Sequence, residues 1–350
     1  QELDMLIVVS TDEHLNEYPP AQNWRLEAST SSGSSPGFSG SAGTAVFCLE
    51  GRSQLFVDSR YHIQAEQTSG ENFEIQKLGN EGVLNPLEWI ASLSEKALTV
   101  GADPYVMSQK EWRGYENAVV KSGHSFKPTT PNLVDSVWVN RPNPPRNKIY
   151  PLVLKYTGKT SASKLADVRN IMNESAMGKD RKADVLLLTM LDEIAWLTNL
   201  RGSDIDYNPV FEAYAAIFQD RALCFCHHPE ADLNEYCPDW EFRPYAEYPE
   251  FLEKITQDEN VKAWLDPSTI TMGTRLAFSK KQVIEKNSPI VLAKALKNLA
   301  EINSTKNAHK QAAVGVVKSF RRLQKAIDLE QLVTEKEYSD WLYEAYSQAE

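Results

Sequence analysis

The sequence predicts an α/β protein made of two similar domains, followed by a helical segment. Three observations lead to this prediction. Short apolar runs alternate with helical patterns, the order of strand, hairpin and helix occurs twice, and a proline-rich stretch separates the two occurrences. We expect domain boundaries at 1–145, 146–298 and 299–350, with the last of these domains incomplete.

The strands of the first half are predicted from apolar runs. Residues 3–9 form the first run and predict a buried strand. Residues 42–49 and 54–58 flank a Glu-Gly-Arg-Ser turn, which is typical of a β-hairpin. A further strand is predicted at 97–100.

Two helices of the first half have clear start signals. Asn85 precedes Glu88 by three residues and Ser108 precedes Glu111 by the same spacing, which matches the capping pattern of a helix amino terminus. Residues 141–148 (RPNPPRNK) then hold three prolines, and proline is excluded from the interior of helices and sheets. This stretch predicts a linker.

The second half repeats the order of the first, and from about residue 299 the pattern changes to long helices. The predicted elements are strands at 151–156 and 184–189, helices at 163–177 and 191–199, a hairpin of 213–218 with 222–226, a helix at 299–327 and a helix that begins after Thr334 and runs to the end.

The composition excludes several classes of protein. With 37 basic and 48 acidic residues the net charge is −11, whereas a protein that binds nucleic acid needs a basic face. No apolar run approaches the roughly 20 residues of a membrane helix. The start of the chain lacks the pattern of a signal peptide, and its four scattered cysteines fit a reduced, cytoplasmic protein. We therefore expect neither nucleic acid nor a membrane as a partner.

The stretch STDEHLNEY places Asp12, Glu13, His14 and Glu17 directly after the first strand. His14 and Glu17 would share a face if the turn were helical, so a metal site is one interpretation. The other interpretation, which we favour, is a loop held together by hydrogen bonds.

The stretch CFCHH resembles half of a zinc site, with Cys224, Cys226 and His228 close together. Cys48 and Cys237 are isolated in the sequence, so no second pair completes four ligands. A buried strand that runs into a loop is the favoured interpretation.

The glycine-rich stretch GFSGSAGTAVF, residues 37–47, precedes a strand. A phosphate-binding loop instead follows a strand and precedes a helix. We therefore expect a close approach of the backbone at this stretch and no phosphate site.

Asp192 and Glu193 are adjacent on a predicted helix, where side chains point about 100° apart and cannot act together on one atom. At a helix start both carboxylates instead favour the helix dipole. Arg201, Asp204 and Asn208 lie in the loop that follows, and a functional role is left open for them.

Seven stretches occur in order along nearly the whole chain: STDEHLNEY, GFSGSAGTAVF, DSRYHIQAEQ, NLVDSVW, LDEIAWLTNLRGSDIDYNPVF, SPIVLAKALKN and AHKQAA. Together they resemble the amino-terminal part of the three-domain Xaa-Pro aminopeptidases (aminopeptidase P) of the creatinase/prolidase superfamily. The resemblance implies two tandem creatinase-like domains, each a mixed sheet flanked by helices. It also implies that residues 299–350 are the first helices of a pita-bread catalytic domain.

The resemblance implies a hydrolase that removes the first residue from short peptides with proline in second position. Its catalytic domain would use two divalent metal ions, usually manganese, held by two Asp, one His and two Glu. Those ligands cannot be placed here, because His309 is the one histidine beyond Glu301 and Asp328 and Asp340 lie outside predicted strands. We therefore expect no catalytic residue, no bound metal and no activity in this chain alone. A homodimer is left open.

Two departures from the family pattern affect these expectations. Residues 27–36 (EASTSSGSSP) are similar to a flexible Ser-rich insertion. The usual Asp-Gly-Arg-Tyr is replaced by Asp58-Ser59-Arg60-Tyr61, which predicts strain at Ser59 if this position has positive φ. The resemblance makes Arg60 a candidate for binding substrate, and a surface ion pair is the alternative.

A second class of function is compatible with the same resemblance. Creatinase-like amino-terminal modules also occur in proteins that lost catalysis and became interaction modules, as in a histone chaperone subunit. The acidic composition and the missing metal ligands permit this alternative. The match of LDEIAWLTNLRGSD to the peptidases favours the enzyme.

Overall fold

The computed structural model describes residues 2–93, 96–174, 182–229 and 232–348. It divides into two compact units, the first formed by Gln1–Pro151 with Ser161–Leu292 and the second by Leu152–Thr160 with Ala293–Glu350. In the part of the chain that is described, the second unit contains helices and turns only. No helix of this part has the length and apolar character needed to cross a membrane.

The strands lie in the first unit and are mostly short apolar segments. They are β1 (Met5–Val9), β2 (Gly43–Cys48), β3 (Ser53–Val57), β4 (Phe73–Lys77), β5 (Thr99–Ala102), β6 (Ser125–Pro128), β7 (Tyr150–Pro151), β8 (Val185–Leu188), β9 (Leu200–Arg201), β10 (Ala213–Phe218), β11 (Ala222–Cys226), β12 (Glu241–Pro244), β13 (Ala263–Leu265) and β14 (Val283–Glu285).

Two six-stranded sheets with the same arrangement form the framework of the first unit. The strand order is β4-β3-β2-β1-β5-β6 in one sheet and β12-β11-β10-β8-β13-β14 in the other. In each sheet the strand that comes first along the chain, β1 or β8, is antiparallel to one neighbour (β2 or β10) and parallel to the other (β5 or β13). This confirms the predicted α/β class with two mixed sheets.

The first unit contains helices as well as the two sheets, and the described elements of the second unit are all helices. The helices are α1 (Arg25–Thr30), α2 (His62–Thr68), α3 (Pro86–Ser92), α4 (Gln109–Lys121), α5 (Leu133–Val137), α6 (Leu154–Thr157), α7 (Ser161–Glu174), α8 (Leu191–Thr198), α9 (Leu233–Tyr236), α10 (Tyr248–Gln257), α11 (Met272–Leu276), α12 (Pro289–Ala295), α13 (Leu299–Asp328) and α14 (Glu335–Ser347).

The predicted helix starts agree with the structure. Asn85 and Glu88 form a reciprocal capping box, and the Ser108 side chain accepts a hydrogen bond from the Glu111 backbone. Thr334 forms a further capping box at the start of α14. These caps satisfy backbone donors that have no partner within their helices.

Hydrogen bonds between main-chain atoms join the two sheets of the first unit. Gln109 N donates to Ile270 O at 2.9 Å, and Met272 N donates to Met107 O at 2.9 Å. The second bond is the counterpart of the first, because Gln109 and Met272 each begin a helix after the fifth strand of their sheet. A second reciprocal pair comes one residue later, where Lys110 N and Gly273 N donate to the carbonyls of two prolines, Pro267 and Pro104.

Two predictions for chain segments were wrong. Residues 151–156 do not form a strand, because only Tyr150–Pro151 pairs with a neighbour and Leu154–Thr157 is helical. This short helix ends at Gly158, whose φ of 64° closes it. Residues 27–30 of the supposed flexible insertion belong to α1, where Thr30 is fully buried.

The structure also bears on the expectations for Ser59 and for the helix predicted at 163–177. Ser59 has no positive φ, so the predicted backbone strain is absent at this residue. The helix predicted at 163–177 is observed as Ser161–Glu174, and residues 175–177 lie outside the described residues.

Helices α13 and α14 form a hairpin in the second unit. Gly315 of α13 lies against Tyr346, and a Cβ atom there would come within 2.7 Å of the tyrosine ring. Arg322 donates to Glu344 at 2.8 Å across the same pair of helices. The glycine at position 315 therefore allows the close approach of α14.

Candidate substrate-contact site

Side chains from three separate stretches of the sequence meet around Arg60. Glu17 comes from the loop after β1, Ser41 from the glycine-rich stretch, and Asp58, Arg60 and Tyr61 from the turn after β3. Ser41 Oγ is 3.0 Å from Glu17 Oε1 and 2.7 Å from the Tyr61 hydroxyl. We call these five residues the Arg60 cluster.

The local fold fixes the position of this cluster. After β3 ends, Asp58 Oδ1 accepts the Arg60 backbone N–H at 3.0 Å, which forms a tight turn before α2. Tyr61 packs edge-on against Phe38, with 5.6 Å between ring centroids. A Cβ atom at Gly40 would overlap the Phe38 ring, so glycine permits this packing.

The Arg60 guanidinium is paired but accessible. Its Nε and Nη2 donate to the two Asp58 carboxylate oxygens at 3.0 and 2.8 Å. These bonds lower the pKa of Asp58 below its usual range. The third nitrogen, Nη1, is 3.8 Å from Glu17, and 56% of the Arg60 side chain is exposed. Nη1 takes no part in the two hydrogen bonds to Asp58.

The loop at 12–17 is held by hydrogen bonds, as favoured by the sequence. The buried Asp12 carboxylate accepts the backbone N–H groups of His14 and Asn16, both at 3.0 Å. His14 is also buried, and its ring nitrogens are 2.8 Å from Thr189 O and from the Tyr245 hydroxyl. Both nitrogens thus have partners, and His14 connects the two sheets.

The cysteines are placed as the strand interpretation predicts. Cys224, Cys226 and Cys237 are buried free thiols, and Cys237 Sγ is 3.0 Å from Thr198 O. His228 Nε2 is 2.8 Å from the carbonyl of Arg146. Within the described ranges, no group of three or more His, Cys, Asp or Glu side chains could hold a metal ion.

The glycine-rich stretch makes the predicted close backbone approach. Gly37 has a φ of 101°, and a Cβ atom there would overlap the carbonyl oxygen of Glu27. The stretch then continues into β2. Its geometry is that of a packing motif.

In the loop after α8, the residues singled out in the sequence form hydrogen bonds with backbone groups. Arg201 Nη1 donates to the carbonyls of Ala195 and Leu200, and Asp204 accepts the backbone N–H groups of Asn147 and Glu212. The backbone N–H of the third residue singled out here, Asn208, donates to Ile205 O at 3.2 Å. These contacts stabilise the turn between α8 and β10.

Glu193 is buried, which its sequence position did not indicate. It lies in the first turn of α8, as predicted, but it is only 3% exposed and accepts a hydrogen bond from Ser288 Oγ at 2.9 Å. Burial raises the pKa of this carboxyl to about 7, and the nearby Asp266 charge adds to the rise.

Sequence reasoning also missed an arginine network. Arg25 Nε and Nη2 donate to Asp135 at 2.7 and 3.1 Å, and Nη2 donates to Glu13 at 2.6 Å. Arg25 is 3% exposed. The pairing joins α1, α5 and the loop after β1, and no local sequence signal reports such a contact.

Comparison with known proteins identifies the family. Residues 35–137 and 140–301 match two family models, both described as the Creatinase/Prolidase N-terminal domain. A probable Xaa-Pro aminopeptidase P of Sordaria macrospora is 34% identical over 348 residues, 95% of this chain and 54% of that protein. Xaa-Pro aminopeptidase ApepP of Drosophila melanogaster is 32% identical, over 92% of this chain and 51% of that protein.

A solved structure has the same fold. The X-prolyl aminopeptidase of Caenorhabditis elegans, described as a cytosolic enzyme with a di-nuclear active site, matches with a TM-score of 0.89 and 23% identity. The match covers 99% of this chain and 56% of that one. The chain thus spans about half the length of the proteins that it matches.

The paired sheets and the two matched domains define a tandem creatinase-type amino-terminal module. The chain belongs to the creatinase/prolidase family, in which it corresponds to the amino-terminal region of the Xaa-Pro aminopeptidases.

Proposed function

We propose that this chain is the amino-terminal, non-catalytic portion of a metal-dependent Xaa-Pro aminopeptidase. The full-length protein would remove the first residue from short peptides with proline in second position, in the cytoplasm. The observation that carries the proposal is the similarity to Xaa-Pro aminopeptidases over 95% of this chain at 34% identity. The proposed domains are 1–145, 146–298 and 299–350, the last being the first helices of the pita-bread domain.

The proposal places the metal centre outside this chain. The described residues do not fit such a centre, since they provide no cluster of three potential ligands. His309 and Asp340 lie on helices α13 and α14, and Asp340 is paired with Lys336 at 2.9 Å. We assign the two metal ions, proposed to be manganese, to a catalytic region of the full-length protein.

We further propose that the Arg60 cluster contacts the peptide. Arg60 offers a charged donor at Nη1, and the neighbouring Ser41 and Tyr61 hydroxyls add polar groups on the same surface. A guanidinium can bind a carboxylate or carbonyl in a defined orientation. The cluster would therefore orient the peptide, and the metal centre would perform the hydrolysis.

The test compares this chain with the full-length gene product, using Xaa-Pro peptides and added manganese. We expect turnover by the full-length protein and none by residues 1–350. Turnover by the shorter chain that rises with metal and disappears with chelator would refute its non-catalytic assignment. A full-length protein without activity would refute the peptidase and favour the interaction module.

A further inference from the structure

A buried carboxyl group holds the start of helix α12. Glu193, in the first turn of α8, is 3% exposed, and its Oε2 accepts a hydrogen bond from Ser288 Oγ at 2.9 Å. Ser288 directly precedes α12, and its Oγ accepts the Ile290 backbone N–H at 3.3 Å. The contact between α8 and the start of α12 therefore depends on a side chain that can change its charge.

A second carboxyl group meets the same serine. The Ser288 backbone N–H donates to Asp266 Oδ2 at 2.6 Å, and Asp266 Oδ1 accepts the Ser268 N–H at 2.8 Å. Asp266 directly follows strand β13 and is 6% exposed. Ser288 thus contacts two buried carboxyl groups, and these groups repel each other when both are ionised.

The surroundings of Glu193 do not offset this repulsion. Among the residues that the structure describes, no cation pairs with Glu193, and the charge that acts on it is that of Asp266. Lys286 follows β14, and its Nζ lies 5.2 Å from the centre of the Trp264 ring. On α8 itself, the adjacent Asp192 points about 100° away from Glu193. An ionised Glu193 would therefore be buried with a like charge as its neighbour, which is costly.

Helix α12 is held by one buried side chain. Ile290 is fully buried, whereas Val291 and Leu292 are 49% and 66% exposed. Segments with few buried apolar contacts open locally at a low cost in free energy. The start of α12 can therefore open without unfolding of the sheets.

We infer that residues 286–292 form a pH-controlled latch, which is closed while Glu193 is protonated and opens when Glu193 ionises. In the closed latch Ser288 lies between one neutral and one charged carboxyl group. After ionisation two like charges meet at Ser288, and opening of the segment lets water hydrate the Glu193 carboxylate.

The direction of the pH effect follows from the burial of Glu193. Burial raises the pKa of the Glu193 carboxyl to about 7, the Ser288 hydrogen bond acts against this rise, and the charge of Asp266 adds to it. Because the pKa is raised in the closed latch, closure is fully favoured below the pKa of a hydrated glutamate, about 4.5, and loses this advantage as the pH rises through about 7.

The latch lies where the chain passes from the first unit into the second, which occurs between Leu292 and Ala293. Opening of the latch would therefore lengthen this connection as the pH rises. Such regulation goes beyond the proposed peptidase function and does not depend on it.

Hydrogen exchange of the 350-residue chain, measured by mass spectrometry, tests the latch. After correction for the intrinsic pH dependence of exchange, we expect opening of the latch amides to increase about 10-fold or more between pH 5.5 and pH 8, with a midpoint near pH 7. Addition of about 1 M urea should change this opening little, because a local opening exposes little surface.

Two variants separate the role of Glu193 from a general effect of pH. Glu193→Gln keeps the shape of the side chain without its charge, so opening of its latch should change less than about 3-fold over the same pH range. Glu116→Gln, which changes an exposed glutamate on α4, should follow the wild type.

Three results would each overturn the inference: equal latch opening at both pH values, a wild-type rise that persists in a folded Glu193→Gln variant, or exchange of the latch amides as slow as that of the α4 amides at pH 8. If Glu193→Gln does not fold by circular dichroism, the wild-type profile decides. A rise near pH 7 that is insensitive to urea then supports the latch, and a urea-sensitive rise refutes it. These measurements require no peptidase activity, so their failure leaves the proposed function untouched.

Discussion

At the scale of residues, Arg60 can be compared with Arg243. Each arginine lies two residues after its acidic partner and pairs with it on the surface, with Nε to oxygen distances of 3.0 Å to Asp58 and 2.6 Å to Glu241. Their side chains are 56% and 40% exposed. Only Arg60 also lies beside the polar groups of the cluster. Because exposed ion pairs contribute little to stability, neither side chain should be needed for folding.

For the proposed full-length enzyme, we expect Arg60→Ala to reduce kcat/KM by roughly 10- to 100-fold, through loss of the proposed charge-assisted contact to the peptide. Arg243→Ala is the matched control and should leave kcat/KM unchanged. Both variants should keep the wild-type melting temperature. A lower melting temperature with intact kcat/KM for Arg60→Ala would assign Arg60 to a structural ion pair.

Glu193 should make stability depend on pH. Because burial raises its folded-state pKa to about 7, folding favours the protonated carboxyl. The contribution of the protonated Glu193 carboxyl to stability is fully present below its unfolded-state pKa of about 4.5 and is lost as the pH rises through about 7. At about 1.4 kcal/mol for each pKa unit, the total is on the order of 3 kcal/mol.

Glu193→Gln should remove this dependence. We expect the wild type to lose more melting temperature than the variant between about pH 5 and pH 8. Glu116→Gln, which changes an exposed glutamate on α4, is the control and should follow the wild type. Parallel profiles for all three proteins would show that Glu193 does not titrate in this range.

Residue-level prediction from the sequence depended on how local the contacts are. Asp58 and Arg60 are two residues apart, so an exposed turn could be predicted from the motif alone. Their meeting with Glu17 and Ser41 requires β1, β2 and β3 to pair first. The buried network of Arg25 joins segments more than 100 residues apart, and no spacing in the sequence predicts it.

At the scale of elements, capping signals were reliable and apolar runs were less so. The helix starts at Asn85, Ser108 and Thr334 were predicted correctly, because a cap is a contact over three residues. The run at 151–156 reads as a strand, yet only its first residue finds a partner strand. The Ser-rich stretch at 27–36 was predicted to be a flexible loop, yet its first four residues belong to α1, where Thr30 is buried.

The α13–α14 hairpin depends on a small residue at one contact. We expect Gly315→Leu to force the helices apart, because a side chain there meets the Tyr346 ring, at a cost of about 1–3 kcal/mol. Ala313→Leu adds the same side chain on an exposed face of α13 and should have little effect. Hydrogen exchange of the α14 amides measures the loss of stability in the α13–α14 hairpin. Equal protection in both variants would contradict the packing role of Gly315.

At the scale of the whole molecule, the repeated order of elements was visible in the sequence, but the joining of the two sheets was not. The bonds between them use backbone atoms of Gln109, Ile270, Met272 and Met107, and backbone atoms are the same in every residue. Composition and motifs therefore carry no information about this contact. This contact can be recognised only in the folded structure, where the helix starts of the two halves lie side by side.

The linker at 141–148 should not be needed to hold the halves together. If a protease recognition sequence is inserted between Pro145 and Arg146, we expect complete cleavage and two fragments that still elute as one species. The reciprocal backbone bonds and the buried pair of Gln22 with Glu212 support this association. Separation of the fragments on gel filtration under native conditions would show that the covalent link is required.

The reciprocal backbone bonds also bear on which substitutions the protein can accumulate. A contact made by N–H and C=O groups survives almost any exchange of side chain, so the angle between the halves can persist while the surrounding sequence drifts. Proline is the exception, since it has no N–H to donate. Gln109 and Met272 each occupy the first position of a helix, where proline fits the helix geometry well. Proline there would keep the helix and remove the bond, which makes these two positions the places where drift could loosen the molecule without unfolding it.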